Sequence, residues 1–317
     1  MSENFSTKAT RSLQLDMLAI LLLPCVSAWY FYGAKALRLI AVSVITAVLC
    51  EFLGRKLLRQ PATVGDLSAV TTGIILALML PANAPVWLPA IGSSFAVIAA
   101  KLPFGRNETL PFSPAAAGMA FLTICFSDLI FDYPRIVANT ALTGSSGSSL
   151  AYLLSQNTSI SLSSVKAIDI FTGNYPGPMG AGCIIVLFGS ALYMLIRRTK
   201  LFISVVGFIG GAAFAALCFP RVTSLLSSVV LELVAGYMIF AALFLLTEQG
   251  TQPKLPISRL LYGISAGIVC MLMRRFGAFE ECACFGILII NAVWNAVDRQ
   301  LVKALDKKKA KGGTKNA

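Results

Sequence analysis

This chain of 317 residues contains no histidine. That absence excludes Ser-His-Asp and Cys-His catalysis, histidine-ligated zinc or haem, and the usual side-chain proton shuttle. The chain also lacks a Walker-type phosphate loop, a strand-Gly-x-Gly-x-x-Gly-helix unit and a ferredoxin-like run of cysteines. We therefore expect no catalytic side chain and no metal site in this chain, and we expect any energy source or electron donor to come from a partner.

Charged side chains are also scarce. They make up 13% of the residues, against 57% hydrophobic residues, and the mean hydropathy is +0.79. Lipid must therefore be the solvent for most of the chain. In a soluble protein, the net charge of +12 would suggest a nucleic-acid partner. Here it is explained by Lys and Arg sorting to one side of a membrane, and we expect no nucleic-acid partner.

Apolar runs of spanning length predict an all-α integral membrane protein with about ten transmembrane helices. The predicted spans are 13–32, 36–54, 67–81, 86–104, 112–131, 178–196, 201–219, 225–247, 258–273 and 281–302. The third, which ends at Leu80-Pro81, and the fourth, which contains Pro89 and Gly92, are expected to be broken or tilted. The first run is too long for a signal peptide, so we expect it to be retained as a helix.

A loop of roughly 45 residues separates the fifth predicted span from the sixth, and a loop of this length is usually functional or disordered. Its middle, residues 143–149, reads Thr-Gly-Ser-Ser-Gly-Ser-Ser. Because the loop divides the spans into five and five, we expect two five-helix repeats. The predicted segments are an N-terminal tail (1–12), a first half (13–131), an extracytoplasmic loop (132–177), a second half (178–303) and a basic tail (304–317).

Ionisable groups at membrane depth are functional candidates, because an unpaired charge there is costly. The acids at or inside the predicted spans are Asp16, Glu51, Glu232 and Glu281. Asp16, Glu51 and Glu281 also suit interfacial positions that reach water, whereas Glu232 lies deeper in its span. The close pair Cys282 and Cys284 is interpreted either as small buried hydrophobic residues or as ligands of a cluster.

Glycine- and proline-containing segments of both halves occur in an order that resembles one family. The segments of the first half are Asp66-Leu-Ser-Ala-Val-Thr-Thr-Gly73, Trp87-Leu-Pro-Ala-Ile-Gly92, Lys101-Leu-Pro-Phe-Gly105 and Pro111-Phe-Ser-Pro-Ala-Ala115. Those of the second half are Gly173-Asn-Tyr-Pro-Gly-Pro-Met-Gly180, Thr247-Glu-Gln-Gly-Thr-Gln-Pro253, Leu261-Tyr-Gly263 and residues 281–291 with Asp298-Arg299. Over residues 60–300 the chain resembles the NqrB/RnfD family, the membrane subunits of the Na⁺-translocating NADH:quinone reductase and of the Rnf ferredoxin:NAD oxidoreductase. Its length is that of the Rnf D-type proteins, of which it resembles a divergent member.

The resemblance implies a covalent flavin in the long loop. The family carries FMN as a phosphoester on the Thr of a Ser-Gly-Ala-Thr motif. Here the motif corresponds to Ser146-Gly147-Ser-Ser149 or, one repeat earlier, to Thr143-Gly-Ser-Ser146. We expect FMN on Ser149, with Ser146 as the second candidate. A flexible Gly/Ser linker that has lost the flavin is the alternative.

Other positions of the family pattern imply a second flavin site and an ion path. Lys101, Phe112 and Ser113 are candidates for binding a flavin without a covalent bond, with riboflavin as a second cofactor. Glu232, Glu281 and Asp66 are candidates for the ion path. The sequence departs from the family at Leu110, at Gly180-Ala-Gly-Cys183 and at Glu280-Glu-Cys282, all of which are positions near these sites.

The resemblance thus implies a non-autonomous component of a translocase, which passes electrons across the membrane as the complex moves Na⁺ or H⁺. The expected partners are the membrane-embedded A and E subunits, the flavin-carrying G subunit, the iron-sulfur B and C subunits, and the lipid of a bacterial inner membrane. A secondary transporter or channel for a small polar solute, built from two repeats with broken helices, is the alternative. A structural membrane protein that has lost its flavin is a third interpretation.

The Lys and Arg distribution predicts that both termini are cytoplasmic. With the N-terminus inside, the inner segments hold 19 of the 26 Lys and Arg residues and the outer segments hold seven. A reporter that is active only in the cytoplasm, fused after Ala317, is expected to be active. A fusion that is active only with an extracytoplasmic reporter would contradict this topology.

Overall fold

The protein is described by a computed structural model that covers residues 2–59, 67–104, 110–135, 143–147, 149–155, 167–221, 224–248, 250–253 and 255–313. Within these ranges the fold is helical apart from one small two-stranded ladder. Helices dominate because hydrocarbon offers no partners to backbone N–H and C=O groups, and a helix satisfies them within its own segment.

The first half of the chain contains five main helices. They are α1 (Ser2–Tyr32), α2 (Ala34–Leu57), α3 (Ser68–Met79), α4 (Trp87–Ala100) and α5 (Pro114–Cys125). A 3₁₀ turn, Leu102–Phe104, follows α4, and a short helix α6, Ser127–Ile130, follows α5. Ser113 caps α5 by accepting a hydrogen bond from the backbone N–H of Ala116 at 3.2 Å.

The second half of the chain follows the long loop. Its elements are α9 (Ile184–Arg197), α10 (Thr199–Cys218), α11 (Leu225–Val234), α12 (Met238–Phe240) with a π-helical turn (Ala241–Leu245), α13 (Pro256–Phe276) and α14 (Ala283–Gly313). The loop between the halves carries β1 (Tyr133–Arg135), β2 (Thr143–Gly147), α7 (Leu150–Ser155) and α8 (Ala167–Thr172).

The described helices support a multi-pass membrane protein. Among them, five are long and apolar enough to cross a bilayer, and a sixth span results if the bent pair α11 and α12 is counted as one. The long ones are Arg11–Tyr32, Ala34–Leu57, Trp87–Phe104, Thr199–Cys218 and Pro256–Phe276. The shorter apolar helices are Ser68–Met79, Pro114–Cys125, Ile184–Arg197 and Ala283–Asp298. Each predicted span thus contains an apolar helix or the bent pair, but several are shorter than a bilayer needs.

Helix α4 is not broken at Pro89 or Gly92, whereas α3 ends at Met79, next to Leu80-Pro81. A tilt of either span stays a prediction. Helix α4 continues through Pro89, because Pro89 lies in its first turn, where the missing N–H has no intrahelical partner to lose. The pronounced break lies instead between α11 and α12, which are bent by 64°. Gly236 allows this bend with φ of +63°.

Regular secondary structure extends into both predicted tails and into the predicted loop. Helix α1 already begins at Ser2, inside the predicted tail 1–12, and α14 continues to Gly313, through most of the predicted tail 304–317. Strands β1 and β2 pair antiparallel, so part of the predicted loop 132–177 has regular structure. Tyr133 on β1 is 1% exposed, which places this part of the loop against the helices.

Helices α10 and α13 approach each other closely over four glycines. A Cβ added to Gly211 would lie 2.2 Å from the Ile264 carbonyl oxygen, and one added to Gly263 would lie 2.1 Å from that of Ser204. Gly207 and Gly267 have comparable backbone contacts. Small residues of this kind let helix backbones pack directly against each other in a membrane.

We expect Gly211→Ala to destabilise the protein by about 1 to 3 kcal/mol, because a methyl group there must displace the backbone of α13. Gly210→Ala is the matched control, since no atom lies within 4 Å of the position of its Cβ. Thermal unfolding in detergent is the measurement. Equal melting temperatures for the two variants would contradict the close contact.

Candidate functional site

A cluster of buried charges lies where the C-terminal ends of α2 and α4 meet. Lys101 Nζ is 2.8 Å from Glu51 Oε2 and donates a hydrogen bond to Ser68 Oγ at 2.6 Å. Arg55 Nη2 is 3.1 Å from Glu51 Oε1, one helical turn away. Lys101 and Glu51 are each 1% exposed. We call Glu51, Arg55, Ser68 and Lys101 the lysine cluster.

Glu248, which follows the π-helical turn of the second half, lies next to the lysine cluster. Its Oε1 accepts a hydrogen bond from Thr72 Oγ1 at 3.1 Å, and its Oε2 accepts one from Ser113 Oγ. Thr72 belongs to α3 and Ser113 caps α5, so one carboxylate joins the second half to two helices of the first. The positive N-terminal end of α5 further favours a negative charge here.

The void beside these groups is small. It measures about 10 Å³, which is room for one water molecule. Its lining residues are Gln14, Met17, Ser68, Thr71, Thr72, Lys101, Leu110, Pro114 and Glu248. The flavin candidates Lys101 and Ser113 are thus engaged in internal polar contacts, and Phe112 packs edge-on against Phe104 with ring centroids 6.0 Å apart. Of the three candidates only Lys101 lines this void, so binding of a flavin by Lys101, Phe112 and Ser113 stays a prediction.

A second cluster of buried charges joins the ends of α10, α11 and α13 to the segment before α14. Arg274 Nη2 is 3.0 Å from Glu281 Oε1, and Arg274 Nη1 donates to the Glu232 carbonyl oxygen at 2.7 Å. Arg221 Nε lies 3.3 Å from Glu232 Oε1, and Arg221 Nη2 donates to the Arg274 carbonyl oxygen at 2.9 Å. We call Arg221, Glu232, Arg274 and Glu281 the arginine cluster.

The arginine cluster balances two positive against two negative side chains, each at most 3% exposed. Its hydrogen-bonding capacity is not fully used. Glu281 Oε2 and Glu232 Oε2 are buried and make no hydrogen bond to any described residue. Gly236 lies directly against Glu281, because an added Cβ would be 1.3 Å from Glu281 Oε1. The absence of a side chain at Gly236, in the break between α11 and α12, therefore leaves room for the carboxylate of Glu281.

The two clusters lie at opposite ends of the helix bundle. Arg198, which follows α9, is 2.5 Å from Asp16 in the middle of α1, and Gly189 of α9 lies against Leu23 of α1, so these packed helices are antiparallel. Asp16 and Glu51 are about equally far in sequence from Gly33, the residue between α1 and α2. The start of α10 is therefore level with the end of α2. Arg259 near the start of α13 donates to the Lys200 carbonyl oxygen at 3.3 Å, which places the start of α13 at the same level. Since α10 and α13 run away from that level, their C-terminal ends lie at the opposite end from Glu51 and Lys101.

An open cleft of about 570 Å³ lies beside the arginine cluster. Its lining residues are Phe131, Tyr152, Ser155, Arg221, Arg274, Arg275, Phe276, Gly277, Ala278, Phe279 and Glu280. Four aromatic side chains and three guanidinium groups thus line one cleft. Phe279 also lies against Phe131 and Phe285, with ring centroids 6.1 Å and 6.0 Å away.

Ser149 is joined to this cleft by Glu280. Ser149 Oγ donates to Glu280 Oε2 at 2.9 Å and accepts from the backbone N–H of Tyr152 at 2.9 Å, so it caps α7. Ser149 is 3% exposed. Burial raises the pKa of Glu280 to about 7, although the hydrogen bond from Ser149 and the charge of Arg274 lower it. Glu280 can therefore carry a proton near neutral pH.

The remaining candidates are only partly described. Thr143, Ser146 and Gly147 lie on β2, opposite Arg135, Pro134 and Tyr133 respectively. Asp66 lies outside the described residues, so its place in an ion path stays a prediction. Cys282 and Cys284 are buried, and within the described ranges no group of three or more His, Cys, Asp or Glu side chains could hold a metal ion.

Sequence reasoning missed two aspects of these clusters. Glu248 was not recognised as an embedded acid, because it comes directly after the apolar run 225–247. The topology count treats four bases of these clusters as loop charges, namely Arg55, Lys101, Arg221 and Arg274. The structure buries three of them, Arg55, Lys101 and Arg274, as partners of acids. Glu51 and Glu281 do not reach water, since each is 1% exposed and paired, while Asp16 remains partly exposed. A count of embedded bases beside embedded acids is the signal that would have found the clusters.

Comparison with known proteins places the chain in a family of membrane proteins. Residues 4–305 match the model of the NQR2, RnfD, RnfE family, and the chain belongs to that family. This confirms the family that the sequence motifs indicate.

Individual relatives are named as D subunits of ion-translocating complexes. The D subunit of the Na(+)-translocating ferredoxin:NAD(+) oxidoreductase complex of Acetobacterium woodii is 30% identical over 299 residues, which cover 92% of this chain and 89% of the relative. The D subunit of the proton-translocating ferredoxin:NAD(+) oxidoreductase complex of Clostridium ljungdahlii is 28% identical, with 84% and 83% covered. The D subunit of the ion-translocating oxidoreductase complex of Escherichia fergusonii is 29% identical, with 85% and 86% covered.

Removal of one base from the arginine cluster is expected to be strongly destabilising. Arg274→Met leaves two acids without their shared partner, which costs about 3 to 5 kcal/mol at a buried site. Adding Glu281→Gln to that variant is expected to recover part of the loss. The control is Arg197→Met, at an exposed position in the last turn of α9. Thermal unfolding in detergent that does not separate Arg274→Met from this control would contradict the role of Arg274.

Proposed function

We propose that this chain is the D-type membrane component of an Rnf-type ferredoxin:NAD⁺ oxidoreductase complex, in which electron transfer across the membrane is coupled to translocation of Na⁺ or H⁺. The match to the family over residues 4–305, together with relatives of similar length that are named as D subunits, carries this proposal. The expected partners are the A, B, C, E and G subunits of such a complex, in a bacterial inner membrane.

The cleft beside Ser149 supports a covalently attached FMN. An isoalloxazine ring needs flat apolar walls, which Phe131, Tyr152 and Phe279 offer, and a phosphate needs cations, which Arg275 offers at the same cleft. The cleft volume of about 570 Å³ lies within the range of cofactor sites. These residues fit the flavin, whereas the 10 Å³ void beside Lys101 does not.

Formation of a phosphoester at Ser149 requires an adjustment by Glu280. The ester removes the hydroxyl proton that Ser149 now donates to Glu280, and it places a phosphate beside a carboxylate. Because burial holds the pKa of Glu280 at about 7, this carboxyl group can take up a proton and donate a hydrogen bond to the phosphate instead. When bound, FMN supplies the capacity to accept and release one or two electrons. The residues of the chain that would orient the ring are Phe131, Tyr152 and Phe279.

The arrangement of charges supports two halves of opposite orientation, each with five spans. In the first half, the C-terminal ends of α2 and α4 carry Arg55 and Lys101. In the second half, Arg221 follows α10 and Arg274 lies in the last turn of α13, at the opposite end of the bundle. The second and fourth spans of each half therefore carry a buried base at or just after their C-terminal ends. The bases of the two halves lie at opposite ends of the bundle, as in an inverted repeat. On this proposal the lysine cluster faces the cytoplasm, with both termini, and the cleft faces outward.

Glu232 and Glu281 remain the candidates for an ion path. Each has a buried carboxylate oxygen that makes no hydrogen bond to a described residue, and both lie at the break between α11 and α12. Membrane proteins often bind and pass ions at places where a helix is interrupted and polar groups face the interior. Glu248 offers a third carboxylate at the other end of the same bent segment.

A secondary transporter or channel for a small polar solute is the second candidate, favoured by the bent pair of helices and by the buried acids. Flavin fluorescence of the chain in a denaturing gel separates the two functions. A fluorescent band after co-expression with a flavin transferase supports the electron carrier, since a flavin bound without a covalent bond is lost on denaturation.

We expect peptide mass spectrometry of residues 136–166 to find the mass of FMN less water on Ser149. Ser149→Thr is expected to keep the label, because it keeps a hydroxyl. Ser149→Asn is expected to lose it while keeping the cap of α7, because Asn is a good N-cap that cannot form a phosphoester. Ser155→Ala, in the same cleft, is the control that keeps the label. Label retained in Ser149→Asn and lost in Ser146→Ala would move the site to Ser146, and an unmodified loop would contradict the covalent flavin.

A further inference from the structure

An apolar groove runs between the last turns of α2 and the end of α4. It has a volume of about 670 Å³, which lies within the range of ligand sites. Its lining residues are Cys50, Leu53, Gly54, Leu57, Leu58, Ile98, Leu102 and Pro103. The side chains of Leu53 and Leu57 are 59% and 85% exposed, so the groove opens to the surroundings of the protein.

The length of α2 indicates that the groove lies near the level where a membrane changes from hydrocarbon to headgroups. Helix α2 has 24 residues and is long enough, at about 1.5 Å per residue, to cross the hydrocarbon core. Its last turn and the residues after it therefore reach the headgroup layer. Lys56 and Arg59 lie there, directly before and after the groove residues Leu57 and Leu58, and both are exposed. The Arg59 N–H donates to the Lys56 carbonyl oxygen at 3.2 Å, which keeps these two residues in one turn.

We propose that this groove binds one anionic phospholipid, with an acyl chain along Leu53, Leu57 and Ile98 and with its phosphate at Lys56 and Arg59. Apolar side chains below two exposed cations match the two parts of such a lipid. The chain segments that continue from the groove, 60–66 and 105–109, contain no Leu, Ile, Met, Phe, Tyr or Trp that would compete with an acyl chain.

The floor of the groove explains how a bound lipid would protect the lysine cluster from water. Gly54 and Leu102 form this floor, and an added Cβ at Gly54 would lie 2.2 Å from Leu102 Cδ1. Their sequence neighbours Arg55 and Lys101 are buried in the lysine cluster. One layer of side chains thus separates the groove from a buried ion pair, and an acyl chain in the groove keeps water away from that layer.

Native mass spectrometry of the full chain, released from detergent after titration with phosphatidylglycerol or phosphatidylcholine, tests this proposal. The unaltered chain is expected to retain phosphatidylglycerol preferentially. Lys56→Gln with Arg59→Gln is expected to weaken retention about thirtyfold, since each base near an anionic lipid contributes about fivefold. Arg197→Gln with Lys200→Gln, an exposed pair at the same end of the bundle, is the control and is expected to keep it.

Two further experiments distinguish binding of a whole lipid from binding of its headgroup alone. Leu53→Trp adds volume to the groove from an exposed position, and it is expected to reduce retention of phosphatidylglycerol with both bases intact. Glycerol phosphate alone is expected not to compete. Equal retention of the two lipids by the unaltered chain would overturn the proposal and assign the groove to an uncharged occupant, such as a helix of another protein in the complex. Unchanged retention in the Lys56 and Arg59 variant, or in Leu53→Trp, would overturn it as well.

Discussion

The fold depends on one constraint, which is that a charge buried among helices, away from water, must find its partner within the protein. Glu51 lies between Lys101 and Arg55, and Arg274 lies between Glu232 and Glu281, so no base of either set is buried alone. Buried ion pairs of this kind add little net stability, because desolvation offsets most of the attraction, but loss of one partner is costly. The main effect of these pairs is therefore to determine which helix ends meet, and their net contribution to stability is small. The ends of α2 and α4 meet at one face of the bundle, and those of α10 and α13 meet at the other.

Irregular backbone in the described residues follows the same constraint. Helix α3 ends at Met79, and the carbonyl oxygens of Leu78 and Leu80 accept hydrogen bonds from Gly180 and Met179 in the segment before α9, at 2.8 Å and 3.1 Å. The break at Gly236 is filled by the carboxylate of Glu281. Interrupted helices thus occur where another part of the chain supplies partners or charge, and both interruptions bring polar groups to the interior. Such places suit a protein that must pass an ion or hold a cofactor while it keeps lipid outside.

The apolar runs predict the positions of the helices well, because spanning length and hydropathy are local properties. The runs 36–54 and 258–273, for example, correspond to α2 and α13. Pro89 causes no break because it lies in the first turn of α4, whereas the bend at Gly236 accompanies a contact with Glu281, a residue 45 positions away. The pairing of Glu248 with Thr72 and Ser113 was equally invisible, since no local pattern connects residues so distant in sequence. Ser149 was found only through the family motif, and its link to the arginine-lined cleft through Glu280 needed the structure.

In the proposed topology the lysine cluster and the cleft beside the arginine cluster lie at opposite membrane faces. Cysteine labelling in sealed right-side-out vesicles tests it most directly, in a chain with Cys125, Cys183 and Cys218 changed to Ser. A membrane-impermeant maleimide is expected to label Phe276→Cys, which lies at the cleft and is 70% exposed, in intact vesicles. It is expected to label Lys56→Cys, next to the lysine cluster, only after the vesicles are opened. Labelling of both positions from the same side of intact vesicles would contradict the account.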